Sequence, residues 1–158
     1  MAAAPLALYR ATVLPAWVDY NGHMNEAFYL HVFCQTTDAF LDHIGLDDAA
    51  RRAARVSAYT LEAHLMYLRE VHEGDRLAVT TQLLRHDAKR AQLYHAMTRE
   101  SDGLLVSVNE LMLLHVDKSG TPRAAPFGPE ILARLAAIAA SHAALPAPRY
   151  AGRVIGFR

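Results

Sequence analysis

Cysteine is nearly absent: Cys34 is the only one in 158 residues. No internal disulfide can form, which excludes a disulfide-stapled secreted scaffold. Net charge is missing as well, because 16 basic and 16 acidic side chains cancel. Without a basic stripe there is no electrostatic footprint for a phosphate backbone or an anionic membrane surface, so neither a nucleic-acid nor a membrane partner is expected. Although 53% of the residues are apolar, the longest hydrophobic runs fall well short of the ~20 residues that span a bilayer. The opening MAAAPLALYR lacks the basic region and long apolar core of a secretory signal. Together these absences predict a cytoplasmic, soluble protein.

Chemical signatures are missing too. There is no G-x-S-x-G elbow, no glycine-rich phosphate loop and no dinucleotide fingerprint, which argues against a serine hydrolase and against nucleotide-cofactor chemistry. Histidine is plentiful, but His64, His72, His86, His95 and His115 show neither an H-E-x-x-H helix nor close ligand spacing. No metal is predicted.

The length suits a single domain over residues 1–158, with no repeat or low-complexity linker to divide it. Leu30, Phe33, Thr37, Phe40, Leu41 and Ile44 recur three and four residues apart, predicting a helix over 26–44 of about five turns. Asn25 can cap it, Glu26 suits the positive end of its dipole, His43 suits the negative end, and Gly45 can end it in a left-handed conformation. Cys34, in mid-helix, is expected to be a small packing residue. A short helical or irregular piece is expected from Asp47 to Arg55.

Beyond Val56 the pattern turns extended. Strands are predicted in SAYTLEAHLMYL, RLAVTTQLLRHD, RAQLYHAMTR and LLVSVNELMLLHVD, joined by turns at Glu73-Gly74-Asp75, Asp87-Ala88 and Ser101-Asp102-Gly103. The phase of the last strand slips near Asn109, predicting a bulge there. PEILARLAAIAASHAAL has helical spacing and opens on Pro129, whereas the tail PAPRYAGRVIGFR has no legible period. With one strand before the helix and these four after it, the expected class is α+β: a five-stranded antiparallel sheet wrapped around the 26–44 helix, the one element with a matching apolar stripe, plus a C-terminal helix.

At the helix entrance stands WVDYNGHMNEAFY, with Asp19 three residues before Gly22, then His23 and Asn25. A carboxylate just ahead of a helix start is either a turn former or part of a reaction centre. His23 either holds the turn or handles a proton. Asn25 is most simply a cap. Glu62 and His64 share one face of their strand, which is either solvated or functional.

The segment Asp19-Tyr20-Asn21-Gly22-His23-Met24-Asn25, Tyr29 within the helix, the strand Glu62-Ala63-His64-Leu65-Met66-Tyr67-Leu68 and the later Glu73-Gly74-Asp75-Arg76-Leu77 resemble the hotdog-fold acyl-CoA thioesterases of the 4-hydroxybenzoyl-CoA thioesterase type, over roughly residues 8–117. The resemblance implies an acyl-CoA substrate with no cofactor beyond its CoA, a homodimer or homotetramer, and a site between protomers near the helix N-terminus. It assigns the reacting carboxylate to Asp19, as base or nucleophile, with His23 beside it. Thioester hydrolysis also needs donors for the oxygen that becomes negative, and the N–H groups near Asn25 and Glu26 are expected to supply them. Gly22 lets the backbone approach the substrate. Many relatives carry a second Asn where this chain has Glu26, which adds an acidic group.

The phrases WVDYNGHMNEAFYLHVF, YTLEAHLMYLREVHEGDRL and ELMLLHVD are similar to thioesterases of carnitine breakdown, including the domain fused behind some carnitine dehydrogenases. That implies hydrolysis of betainyl-CoA to glycine betaine and CoA, with another short or aromatic acyl-CoA, or acyl-CoA binding without turnover, as alternatives. A hydratase is disfavoured, since the position five after Asp19 is Met24. A trimethylammonium group calls for aromatic faces and carboxylates. Trp17, Tyr20, Phe28, Tyr59 and Tyr67, with Glu26, Glu62 and His64, are the substrate-binding candidates, and Arg76, Arg85, Lys89 and Arg90 are the candidates for the CoA phosphates.

Overall fold

The structure, a computed structural model, describes residues 3–157. Tyr29, Val32, Phe33, Thr37, Phe40 and Leu41 form the buried side of helix α1 (Glu26–His43), as their spacing of three and four requires. Its start is capped by Asn25, whose Oδ1 accepts the Ala27 N–H at 3.0 Å. Its end is released by Gly45 at φ 86°, a conformation that costs glycine nothing. Cys34 lies on the exposed side of the helix instead of packing. A short helix α2 (Asp48–Ala54) follows, capped by Asp47.

The strands are β1 (Leu6–Thr12), β2 (Val56–Tyr67), β3 (Arg76–His86), β4 (Arg90–Arg99) and β5 (Leu105–Asp117), with helix α3 (Pro129–His142) after them. They form one antiparallel sheet in the order β1-β3-β4-β5-β2, and a two-residue strand, β6 (Arg123–Ala124), adds to the end of β5. The predicted five strands are therefore joined by a sixth too short to carry a pattern. β2 is a sheet edge. No helix among the described residues is long and apolar enough to cross a membrane.

Alternation along β3 and β4 turns Leu77, Val79, Leu83, Leu93 and Met97 inward, where they meet α1 in two apolar clusters. One surrounds Phe33 beneath the helix start, and the other joins Phe40 and Ile44 to Phe127 and Leu135. Each such side chain contributes about 1.5–3 kcal/mol by leaving water.

A polar layer sits under the middle of α1. Thr37 donates its hydroxyl to the Phe33 carbonyl at 3.1 Å, so toward His95 its oxygen can only accept, and Nε2 carries the proton across their 3.0 Å contact. Thr81 then donates to Nδ1 at 2.9 Å. Burial holds the His95 imidazole neutral, its pKa pushed down to about 3.

No bulge occurs at Asn109. It pairs with His95 on one side and Leu65 on the other in unbroken register. The slip in pattern arises because β5 is buried on both faces from Val106 to Asn109. The bulge of β5 lies three residues earlier, where Val106 is the extra residue against Met97 and Thr98 of β4, and β2 carries another at Leu61, between Thr60 and Glu62.

The aperiodic tail runs across the outer face of the sheet. Gln82 Nε2 donates to the Pro146 carbonyl at 3.4 Å, and the Gly152 N–H donates to Glu110 at 2.6 Å. Burial drives the Tyr94 phenol up to about 12, and its ring lines a cleft with Tyr150 of the tail. At the end of α3, His142 Nδ1 accepts the Leu83 N–H at 3.0 Å.

Candidate active site

After β1 the chain makes a single 3-10 turn at Pro15–Trp17 and then a short loop pinched between Val18 and Met24, which pair as an isolated bridge. Within the loop the Asp19 N–H donates to the His23 carbonyl at 3.0 Å, and the Gly22 N–H to the Asp19 carbonyl at 2.9 Å. Gly22 has φ 76°, so glycine is favoured by backbone sterics at that place.

Asp19 Oδ1 accepts the Asn21 N–H at 2.8 Å, the bond expected of a turn former. Its Oδ2 faces the helix entrance, where it accepts from the side-chain Nδ2 of Asn25 at 3.4 Å. One oxygen holds the turn and the other points at the helix start, so the two readings of Asp19 coexist in a single side chain.

Among the expected oxyanion donors, the Asn25 N–H is already committed to the Trp17 carbonyl at 2.8 Å, and the Ala27 N–H to the cap. The Glu26 N–H has no acceptor among the described residues. This is the orphan donor that a helix start leaves behind. The helix entrance is fixed from outside by the Met24 N–H, which donates to the Val71 carbonyl at 2.8 Å.

Asp19, His23, Glu26, Tyr67, Arg69 and Glu70 line a cleft of about 320 Å³. Tyr29 donates to the Arg69 carbonyl at 3.2 Å and meets the Tyr67 ring edge-on at 5.2 Å. Tyr67 in turn donates to the Glu26 carbonyl at 3.4 Å. Burial, then the neighbouring Glu26 carboxylate, pushes the Tyr67 phenol up. Glu70 is held below the usual carboxylate range by its own backbone N–H first and by His23 next. The His23 ring stands edge-on to His72 at 5.1 Å.

The other predicted site residues are dispersed. Tyr20 is 97% exposed. Trp17 is half-buried and stacks on Phe28 at 5.4 Å, so each ring covers a face of the other. Tyr59, Glu62 and His64 are paired with Leu114, Met112 and Glu110, which places them on the outer face. Glu62 and His64 line a separate groove there with Gly152 and Arg153. Within one chain they do not meet Asp19. The cause is partly the bulge in β2: strict alternation from Leu65 would have turned Tyr59 inward, and the extra residue at Leu61 reverses it.

Of the cations, Arg76 lies at the Asp19 end of the sheet but is ion-paired with Glu100 at 3.0 Å. Arg85, Lys89 and Arg90 surround the β3–β4 turn at the opposite end, about 30 Å away along the strands. Arg90 is tied to Asp87, whose carboxyl it draws down to about 2. Arg69 and Glu70 escaped the sequence reading. Their only signal is that they directly follow the Glu62–Leu68 motif, and the hydrogen bond that ties Arg69 to α1 spans forty residues.

Residues 13–135 match the family model of the thioesterase-like superfamily. A betainyl-CoA thioesterase of Pseudomonas aeruginosa is 53% identical over 151 residues, 96% of this chain and 94% of that protein. An L-carnitine dehydrogenase/betainyl-CoA thioesterase of Rhizobium meliloti is 43% identical over 156 residues, 98% of this chain but 31% of that longer protein. A hypothetical protein of Staphylococcus aureus, solved in complex with CoA, superposes with a TM-score of 0.92 at 28% identity, covering 100% of this chain and 98% of that one. Since the match takes in both the turn that holds Asp19 and the strand end that closes the cleft, this chain belongs to the thioesterase-like superfamily, a thioester hydrolase on the hotdog fold.

Proposed function

We propose that this protein hydrolyses betainyl-CoA to glycine betaine and CoA, as a cytoplasmic homodimer and with no cofactor beyond the CoA of its substrate. The observation that carries the reading is the 53% identity to the P. aeruginosa betainyl-CoA thioesterase across nearly the whole of both chains. The cleft's chemistry supports it. In a betainyl group the quaternary nitrogen is two bonds from the thioester carbon, so it must share the cleft with Asp19. Such a cation offers no hydrogen-bond donor and is held by ring faces and carboxylates. The Tyr67 ring is 50% exposed, with Glu26 and Glu70 beside it.

Asp19 either attacks the thioester carbon, giving a mixed anhydride that water then cleaves, or takes a proton from the attacking water. Both routes place negative charge on the carbonyl oxygen, where the Glu26 N–H and the helix dipole receive it. His23 fixes Asp19 through its backbone carbonyl, and its ring stands edge-on to His72.

Thiol release from betainyl-CoA, from its neutral isostere 3,3-dimethylbutanoyl-CoA and from 4-hydroxybenzoyl-CoA tests the proposal. Betainyl-CoA is expected to be turned over fastest. Equal rates on the isostere would remove the cationic substrate, and tight binding without turnover would favour an acyl-CoA binder. Tyr67→Leu is expected to lower kcat/KM on betainyl-CoA about tenfold, as the loss of a partly desolvated cation–π contact implies, with a smaller loss on the isostere.

The edge strand supports the homodimer. On β2, Tyr59 is 41% and Leu61 55% exposed, beside a row of backbone groups that no strand among the described residues pairs with. Antiparallel pairing of two β2 edges about Glu62 sets Ser57–Tyr59 of a second copy beside Tyr67 and closes the open side of the cleft. Leu61→Lys should give a monomer by light scattering and at least a tenfold loss of activity. A wild-type monomer at micromolar concentration would contradict the pairing.

A further inference from the structure

CoA brings three phosphate groups to any site that binds it, and phosphates are held by guanidinium and ammonium groups or by backbone donors. The arginines expected to do this are spent or distant: Arg76 is paired with Glu100, Arg90 with Asp87, and the β3–β4 turn lies at the wrong end of the sheet. Two other arginines, Arg69 and Arg149, have no carboxylate within ion-pair distance among the described residues. Both line one cleft of about 590 Å³ on the outer face of the sheet.

This second cleft has a floor of strand residues, Thr80, Gln82, Tyr94 and Ala96, and a wall made by the tail from Leu145 to Tyr150. Leu68 and Arg69 line it and the Asp19 cleft alike, so a single turn of chain separates the two. The wall is held in place. Gln82 bonds to Pro146 and Glu110 to Gly152, Tyr94 and Tyr150 line the cleft together, and Pro146 and Pro148 restrict the backbone between the anchors. Arg149 lies over the Tyr150 ring, 5.3 Å from its centre.

We infer that the outer-face cleft receives the pantetheine arm and the 3′-phosphorylated ADP of the CoA ester, with Arg69 at the rim between the clefts and Arg149 on the tail contacting the phosphates. The inference rests on the acyl-CoA reading of the Asp19 cleft. The largely apolar cleft suits the gem-dimethyl and methylene groups of the arm, and Thr80 and Gln82 offer partners for its two amides. The tail that carried no periodic signal thus becomes a wall of the substrate site.

Two measurements decide it. Calorimetric titration with CoA itself, which needs no turnover, is expected to show about tenfold weaker binding in Arg149→Gln, the loss of one charge-assisted contact, and a comparable loss in Ala96→Trp, which fills the floor. In thiol-release assays, the fall in kcat/KM caused by Arg149→Gln should be at least fivefold larger on betainyl-CoA than on the betainyl ester of N-acetylcysteamine, which keeps the thioester and lacks the nucleotide. Unchanged CoA affinity in both folded variants, or equal losses on the two esters, would overturn the inference. Normal CoA binding by the wild type without hydrolysis of any acyl-CoA would instead overturn the thioesterase reading and leave the titration to judge the cleft.

Discussion

Asp19→Asn is expected to lower kcat on acyl-CoA by about a thousandfold, the middle of the range for loss of a positioned base or nucleophile. The reason for choosing asparagine is local. Its side-chain oxygen can still accept the Asn21 N–H that Asp19 Oδ1 accepts at 2.8 Å, so the turn survives while the carboxylate disappears. Melting temperature should therefore change little. Asp19→Ala removes both functions and should also cost about 1 kcal/mol of stability, as the loss of a capping-type bond does. Single-turnover and steady-state thiol release, with a thermal melt beside them, separate the roles. More than a tenth of wild-type activity in Asp19→Asn would leave Asp19 as a turn former only.

The second large effect is on stability. His95 is neutral in the fold, with a pKa near 3 caused by burial, against 6.5 in the unfolded chain. Between those values the unfolded chain binds a proton that the native state refuses, so stability falls as pH falls. The contribution is fully present above pH 6.5. At pH 5 this one side chain should cost about 2 kcal/mol relative to pH 7, from 1.36 kcal/mol per unit below the unfolded value.

Phe33, Thr37, Thr81 and Asn109 surround the imidazole, and none of them titrates in that range. His142, lowered by burial, adds in the same direction. Asp87 and Asp117, both near 2, lose their stabilisation only below about pH 4 and leave the window untouched. Urea unfolding of the wild type and of His95→Gln at pH 7 and pH 5 gives the contrast. The variant is less stable at pH 7, because its amide does not reproduce both threonine contacts, and its stability should change less between the two pH values. Equal slopes would mean that His95 is not the group responsible.

Much of the helix and its entrance was legible from residues close together in the chain. The three-and-four spacing of α1, its Asn25 cap, the Gly45 ending and the Asp19–Gly22 turn all depend on contacts within a few residues, and those patterns are printed directly in the sequence. The strands and their turns were legible for the same reason. The motif at residues 19–25 also carried the family, since it combines a local turn with the chemistry of a helix start.

Tertiary structure alone decided which side chains share a cleft. Glu62 and His64 share one strand face, but which face turns toward α1 depends on the sheet order, and Tyr59 joins them on the outside only through the bulge at Leu61, which no local pattern announces. Arg85, Lys89 and Arg90 looked like neighbours of the site and lie at the far end of long strands. Arg69, Glu70 and the tail at Leu145–Tyr150 reach their places through bonds between segments far apart in the chain. The elements and the reactive turn follow from neighbouring residues, because local hydrogen bonds and periodic burial specify them. The fold determined the cleft's walls, because convergence across a sheet is a property of register and closure that neighbouring residues do not encode.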